Sequence, residues 1–260
     1  MKEINVLGFG LMGKQIAGLL CLLGYKVNVW NRREIDISLI NKFIEKNEQN
    51  FGNKKGSAFF VSKLLDLPDV ITIEALIEDI EIKRKIFFQL NDHLKSGYFT
   101  STSSFSPSEI DSSIGVLHFF NPIRMKLIEF MPSRTINVAA MNLVSDLEKL
   151  GFTVANVKDN RCFLGNYILF HEFSSFFKLI ERYKYSFQDV QRVVFKLYNE
   201  RDILKIIDIV GIDVTLKIMN NIKEDEHDFY VPKLLKNAAD NNVLGYKNNT
   251  SIKDYLLSCL

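Results

Sequence analysis

The most specific chemistry lies at the start of the chain, where the apolar run Ile4–Leu7 passes into Gly8-Phe9-Gly10-Leu11-Met12-Gly13 and then into an apolar helical stretch. A G-x-G-x-x-G pattern between a strand and a helix is an arrangement that binds a dinucleotide pyrophosphate. Gly8 permits the tight turn, Gly10 lets the pyrophosphate approach the backbone, and Gly13 lets helix and strand pack closely. The N–H groups at the helix start, Leu11 and Met12 among them, face the anion. The bland reading is a glycine-rich turn that binds nothing, but the strand–turn–helix context favours the cofactor. At the end of the second strand-like run an acidic side chain would accept a hydrogen bond from the ribose 2′-hydroxyl of NAD. Asn31 occupies that position instead, followed by Arg32 and Arg33. Asn does not repel a 2′-phosphate, and arginines can pair with one. The expected cofactor is therefore NAD or NADP, with a slight preference for NADP; a solvated arginine pair is the other reading of Arg32 and Arg33.

The elements that must position these groups follow from hydrophobic spacing. Ile4–Leu7, Lys26–Trp30, Val70–Glu74, Tyr98–Ser101 and Val116–Phe119 are short runs rich in β-branched and aromatic residues, separated by segments of helical spacing such as Ile80–Leu94. That alternation predicts βαβ units and a parallel sheet. Ser106-Pro107 with Glu109 forms a capping box at a helix start. From about Cys162 the pattern becomes amphipathic and helical, over Phe163–Tyr183, Phe187–Leu197, Ile203–Ile222 and Val231–Asn241. The fold class is α/β: a Rossmann-type parallel sheet domain over residues 1–158, then an all-helical domain over 159–260.

Composition narrows the function further. Of 260 residues 47% are apolar and 25% charged, the proportions of a globular protein. Lys and Arg total 33 against 31 Asp and Glu, a net charge of +2 that gives no electrostatic footprint for nucleic acid. Cys21, Cys162 and Cys259 are widely spaced, with no Cys-x-x-Cys pattern for a metal site or a disulfide framework. No charged-then-apolar leader opens the chain and the longest apolar stretch, Ile16–Leu23, is too short to span a bilayer. The expectation is a cytoplasmic protein without a membrane partner or a metal.

Three further blocks carry a family resemblance: Ser101-Thr102-Ser103-Ser104, Leu117-His118-Phe119-Phe120-Asn121-Pro122, and Met125-Lys126-Leu127-Ile128-Glu129. Their order, together with Glu74-Ala75-Leu76-Ile77-Glu78, Lys83, Val157-Lys158-Asp159, Asn166, Asp208, Gly211-Ile212-Asp213 and Leu244-Gly245-Tyr246-Lys247, resembles a short, divergent L-3-hydroxyacyl-CoA dehydrogenase over nearly the whole chain. The resemblance implies an NAD(P)-dependent oxidoreductase that interconverts 3-hydroxyacyl and 3-oxoacyl thioesters. It implies that His118 is the general base for the substrate hydroxyl and that Glu129 orients it and balances its charge. That pairing suits the chemistry, since a carboxylate fixes the imidazole tautomer and stabilises the imidazolium. Ser103 and Asn166 resemble the family's contacts to the reacting oxygens, which implies a site between the domains. Glu78, Lys83, Asn121 and Lys247 fall where the family lines the nicotinamide and ribose pocket. Taken singly, each residue has a bland reading: Ser103 and Asn121-Pro122 as turn residues, His118 as a core histidine, Lys83 as a solvated helix face.

The chain also departs from that family. Ser101 replaces an Asn, Arg161-Cys162 replaces Pro-Gly before the first long helix, and Asn199–Leu204 stands where Pro-Met-Gly-Pro-Phe is expected. The loop Pro122-Ile123-Arg124 is one residue short, and the segment between Asn31 and Glu74 is shorter than the helical hairpin that contacts the nucleotide end of coenzyme A in the family. Two alternatives to a CoA-linked substrate therefore remain: the same chemistry on a carrier-protein-linked acyl group, or a catalytically retired NAD(P)-binding scaffold. Phe173, Phe176 and Phe177 on one helix exceed what a single core face needs and suggest a buried helix–helix contact in a homodimer.

Overall fold

The computed structural model describes residues 2–134 and 138–259. The chain forms two compact units, Met1–Phe163 and Leu164–Leu260.

The first unit runs β1 (Glu3–Leu7), α1 (Leu11–Leu22), β2 (Lys26–Trp30), α2 (Ser38–Phe51), β3 (Ser57–Val61), β4 (Thr72–Glu74), α3 (Ile80–Leu90), β5 (Tyr98–Thr100), α4 (Pro107–Ile110), β6 (Gly115–Phe119), β7 (Leu127–Met131), α5 (Val138–Lys149) and β8 (Thr153–Asn156). These strands build one sheet in the order β3-β2-β1-β4-β5-β6-β7-β8. Every neighbouring pair is parallel except β6 and β7. The chain winds outward from β1 to β3 and then returns to the other side for β4. Such a reversal opens a crevice beyond the carboxyl ends of the strands, where doubly wound sheets bind ligands. Ile4, Val6, Val27, Val29 and Ile73 are buried in the sheet, and α1 buries Ile16, Ala17, Leu19, Leu20 and Leu22. A helix so apolar all round has to be covered on more than one face. Its Gly18 leaves room for the Phe43 ring of α2, which would lie 2.3 Å from a Cβ there.

The predicted sheet domain is present, with elements that the spacing did not signal. β3 is a half-buried edge strand, and β7 carries a Glu at its centre, so neither shows a clean apolar alternation. A single helix, α2, lies between β2 and β3.

The second unit contains α6 (Gly165–Glu181), α7 (Phe187–Leu197), α8 (Ile203–Val210), α9 (Ile212–Asp225), α10 (Lys233–Asp240) and α11 (Ile252–Cys259), with no strand among its described residues. The expected helix over Ile203–Ile222 is two helices, because Gly211 takes φ 94° and breaks the run. Phe173, Phe176 and Phe177 are all at most 2% exposed within the chain, and Phe176 meets Phe187 of α7 edge-on at 6.5 Å. Their number reflects the packing of this unit, and they supply no argument for a partner helix. No helix among the described residues is long and apolar enough to cross a membrane.

Candidate active site

The antiparallel pair β6–β7 sets His118 directly opposite Glu129 in the ladder. Directly opposed side chains on one face of such a pair lie close enough to interact. The return between the strands is made by Lys126 in the left-handed conformation, φ 53°. The result is a hydrogen bond of 2.7 Å between His118 Nδ1 and Glu129 Oε2, with 4% and 1% of the two residues exposed. With Nδ1–H donating to the carboxylate, Nε2 carries the lone pair that can accept a proton. The rings of Phe120 and Phe163 flank the imidazole, with centroids 4.9 and 5.8 Å away.

A second polar group holds the 101–106 turn. Glu78 Oε1 accepts from the Thr102 hydroxyl at 2.5 Å, from Ser103 N–H and Ser104 N–H at 2.9 Å each, and from the Ser104 hydroxyl at 2.8 Å. Its Oε2 lies 3.3 Å from Lys83 Nζ. Lys83, far from being a solvated helix residue, is 1% exposed and also donates to the fully buried Glu74 at 2.7 Å. Glu74 in turn accepts from Leu76 N–H at 2.6 Å and from the Thr100 hydroxyl at 2.8 Å. Burial opposes charge on Lys83 and Glu78 alike. The attraction between them overcomes it, so Lys83 is pushed above the usual ammonium value and Glu78 is held below the usual carboxylate range, with the 102–104 donors assisting. An ion cluster of this kind needs every partner, because a lone buried charge is costly.

The glycine turn divides its labour. A Cβ on Gly8 would fall 2.4 Å from Ala75 O, and one on Gly13 would fall 2.1 Å from Gly8 O, whereas one on Gly10 would meet nothing within 4 Å. Gly8 and Gly13 are therefore required by the backbone's own packing. Gly10 opens onto space in front of the first turn of α1, whose N-cap carries no side-chain hydrogen bond. The open N–H groups of Leu11, Met12 and Gly13 fit a pyrophosphate. At the end of β2, Asn31 Nδ2 donates to Arg33 O at 2.9 Å, leaving its Oδ1 as an acceptor, and Arg32 and Arg33 are exposed.

Asn121 Oδ1 accepts from Gln15 Nε2 at 3.2 Å, while Gln15 Oε1 accepts from Ile123 N–H at 3.0 Å. Gln15 thus ties α1 to the 121–123 loop. It carries no sequence signal beyond its place one turn after the glycines. Before the long helix Cys162 adopts φ 60°, and α6 begins at Gly165. The two remaining candidates belong to the second unit. Asn166 is buried in the first turn of α6, and Lys247 pairs with Asp213 at 2.6 Å.

Residues 3–160 match the family model "3-hydroxyacyl-CoA dehydrogenase, NAD binding domain", and residues 163–255 match "3-hydroxyacyl-CoA dehydrogenase, C-terminal domain". The chain belongs to the 3-hydroxyacyl-CoA dehydrogenase family. It is an oxidoreductase of the CH–OH class with an NAD(H)-binding domain. This 3-hydroxyacyl-CoA dehydrogenase homologue is 28% identical to the 3-hydroxybutyryl-CoA dehydrogenase of Clostridioides difficile, over 97% of this chain and 99% of that one. It is 30% identical to the peroxisomal bifunctional enzyme of Cavia porcellus over 84% of this chain, a match that spans 33% of that longer protein. Among solved structures, Mycobacterium tuberculosis FadB2 superposes with a TM-score of 0.82 at 24% identity, covering 97% of this chain and 98% of that one, which shows a shared fold.

Proposed function

We propose that the chain interconverts 3-hydroxyacyl and 3-oxoacyl thioesters of coenzyme A, with His118 as the base and Glu129 as its orienting partner. The observation that carries this reading is the buried cross-strand pair, 2.7 Å between Nδ1 and Oε2. His118 Nε2 takes the proton from the substrate 3-hydroxyl, and Glu129 stabilises the imidazolium that results. NAD, when bound, supplies the hydride acceptor for the same carbon. Ser103, held in place through its own N–H by Glu78, offers a hydroxyl toward the reacting oxygen in this proposal. Asn166 is assigned the same role from the sequence resemblance, as are Glu78, Lys83, Asn121 and Lys247 toward the cofactor. His118→Gln is expected to lower turnover of acetoacetyl-CoA with NADH by about 10²–10⁴-fold while the NADH dissociation constant stays within twofold. Wild-type turnover in that variant would rule out the assignment.

Two finer readings rest on particular features. The exposed Arg32 and Arg33 beside Asn31 favour acceptance of the 2′-phosphate of NADP alongside NAD. The single helix between β2 and β3 favours a weak grip on the nucleotide end of coenzyme A, and so a carrier-linked acyl group as a second substrate form. On that reading, trimming the substrate to a pantetheine thioester lowers kcat/KM by less than about tenfold, or 1.36 kcal/mol. A loss of about a hundredfold would show that the whole of coenzyme A is held, and would leave the CoA reading alone.

A further inference from the structure

The last residues of the first unit hold two consecutive left-handed backbone conformations, φ 60° at Cys162 and 47° at Phe163. Neither is glycine, and a bulky aromatic residue rarely adopts such a φ without contacts that impose it. Those contacts are present on both sides. Arg161 Nε donates to Glu109 Oε2 at 2.9 Å and its Nη2 donates to Glu109 Oε1 at 2.7 Å, a two-pronged geometry. Glu109 Oε2 also accepts from Ser106 N–H at 2.8 Å, so the carboxylate that closes the capping box of α4 grips the arginine as well. Cys162 is fully buried with its Sγ 3.8 Å from Ser104 O, in the same turn that carries Ser103. What the strained backbone delivers is the Phe163 ring, 1% exposed and 5.8 Å from the imidazole of His118.

We infer that Arg161 and Glu109 form a clasp that presses Phe163 against His118, which makes Arg161 a positioning residue for the proton transfer proposed above. The inference rests on that reading of His118. The bond to Glu129 fixes one ring nitrogen of His118 but leaves the imidazole able to tilt about it; Phe120, just past the end of β6, and Phe163 on the strained segment limit that tilt. Releasing the clasp disperses the direction of Nε2 without touching the glycine turn, and small misplacements of a reacting group cost rate steeply.

The test compares turnover per NADH-binding site, counted by fluorescence titration, in Arg161→Ala, Glu109→Gln and the double variant. Each single variant is expected to lower kcat about tenfold with the NADH dissociation constant unchanged. The double variant should lower it no further, and Arg161→Lys should recover part of the loss. A merely structural contact would lower thermal stability and leave kcat per binding site intact, and that result overturns the inference. Should Arg161→Ala fail to fold, Phe163→Leu carries the same comparison, with the same tenfold fall expected and an unchanged kcat again decisive against it. His118→Gln is measured alongside: if it is inactive while the clasp variants turn over normally, only the clasp falls, whereas full activity in His118→Gln removes both readings.

Discussion

The carboxyl edge of the sheet is built in two ways. Around β4, β5 and β6 charged groups interlock: Lys83 lies between Glu74 and the half-buried Glu78, Glu78 gathers four donors from the 102–104 turn, and His118 faces Glu129. At the end of β2, Asn31 hydrogen-bonds within its own turn, and the two arginines behind it stand in solvent. The first region obtains geometry from low dielectric and from these ion pairs and hydrogen bonds, so that each of their members is held by the next. The second is an exposed turn whose two arginines are charged and open to solvent. Damage to the first should therefore spread into the fold, and changes to the second should stay local.

Lys83→Met offers the strongest way to break that contrast. Removing the ammonium leaves Glu74, wholly buried, facing Glu78 without a counter-ion, and uncompensated buried charges of this sort cost about 3–5 kcal/mol. Urea unfolding of the first unit should show that loss. Adding Glu74→Gln to the same chain should return part of it, because the orphaned charge is then gone. Equal or additive losses in the double variant would mean that the cluster contributes as separate contacts.

The glycine turn lies between these extremes and separates folding from binding. Gly13→Ala sets a methyl 2.1 Å from Gly8 O, so soluble yield and thermal stability should both fall. Gly10→Ala places the methyl in open space and should fold normally while the NADH dissociation constant rises about tenfold, worth 1.4 kcal/mol. If Gly10→Ala binds NADH as the wild type does, the pyrophosphate does not approach the chain there.

Much of this is legible in the sequence, and unevenly so. The glycine turn is a local pattern with a local mechanism, so the sequence carries it whole. His118 and Glu129 are eleven residues apart, and their pairing depends on β7, whose run Leu-Ile-Glu-Phe-Met has no alternation to announce a strand. Family resemblance supplied the pair; periodicity did not. Lys83 reads on helical spacing as a surface residue, because nothing local shows that Glu74, nine residues earlier, is fully buried and draws it inward. Gln15 has no local signal for the same reason: its partners, Asn121 and Ile123, lie more than a hundred residues away. Within the helical unit, a single glycine inside an apolar stretch does not interrupt the helical spacing, yet Gly211 at φ 94° ends one helix and starts the next.

The smallest effect belongs to the exposed turn and sharpens the comparison from the other side. Asn31→Asp replaces the amide with a carboxylate that accepts from a ribose 2′-hydroxyl and repels a 2′-phosphate. Because the Asn31 side chain bonds within its own turn, through Nδ2 to Arg33 O, the exchange should leave thermal stability nearly unchanged. The ratio of NAD to NADP affinity should rise on the order of fivefold, about 1 kcal/mol of differential binding, since solvent screens an exposed charge and Arg32 and Arg33 still attract the phosphate. Raising the salt concentration should shrink the shift, as it would not for a buried acceptor. A ratio that stays fixed, or a shift that persists undiminished in high salt, would show that the turn is more enclosed around the ribose than its exposure implies.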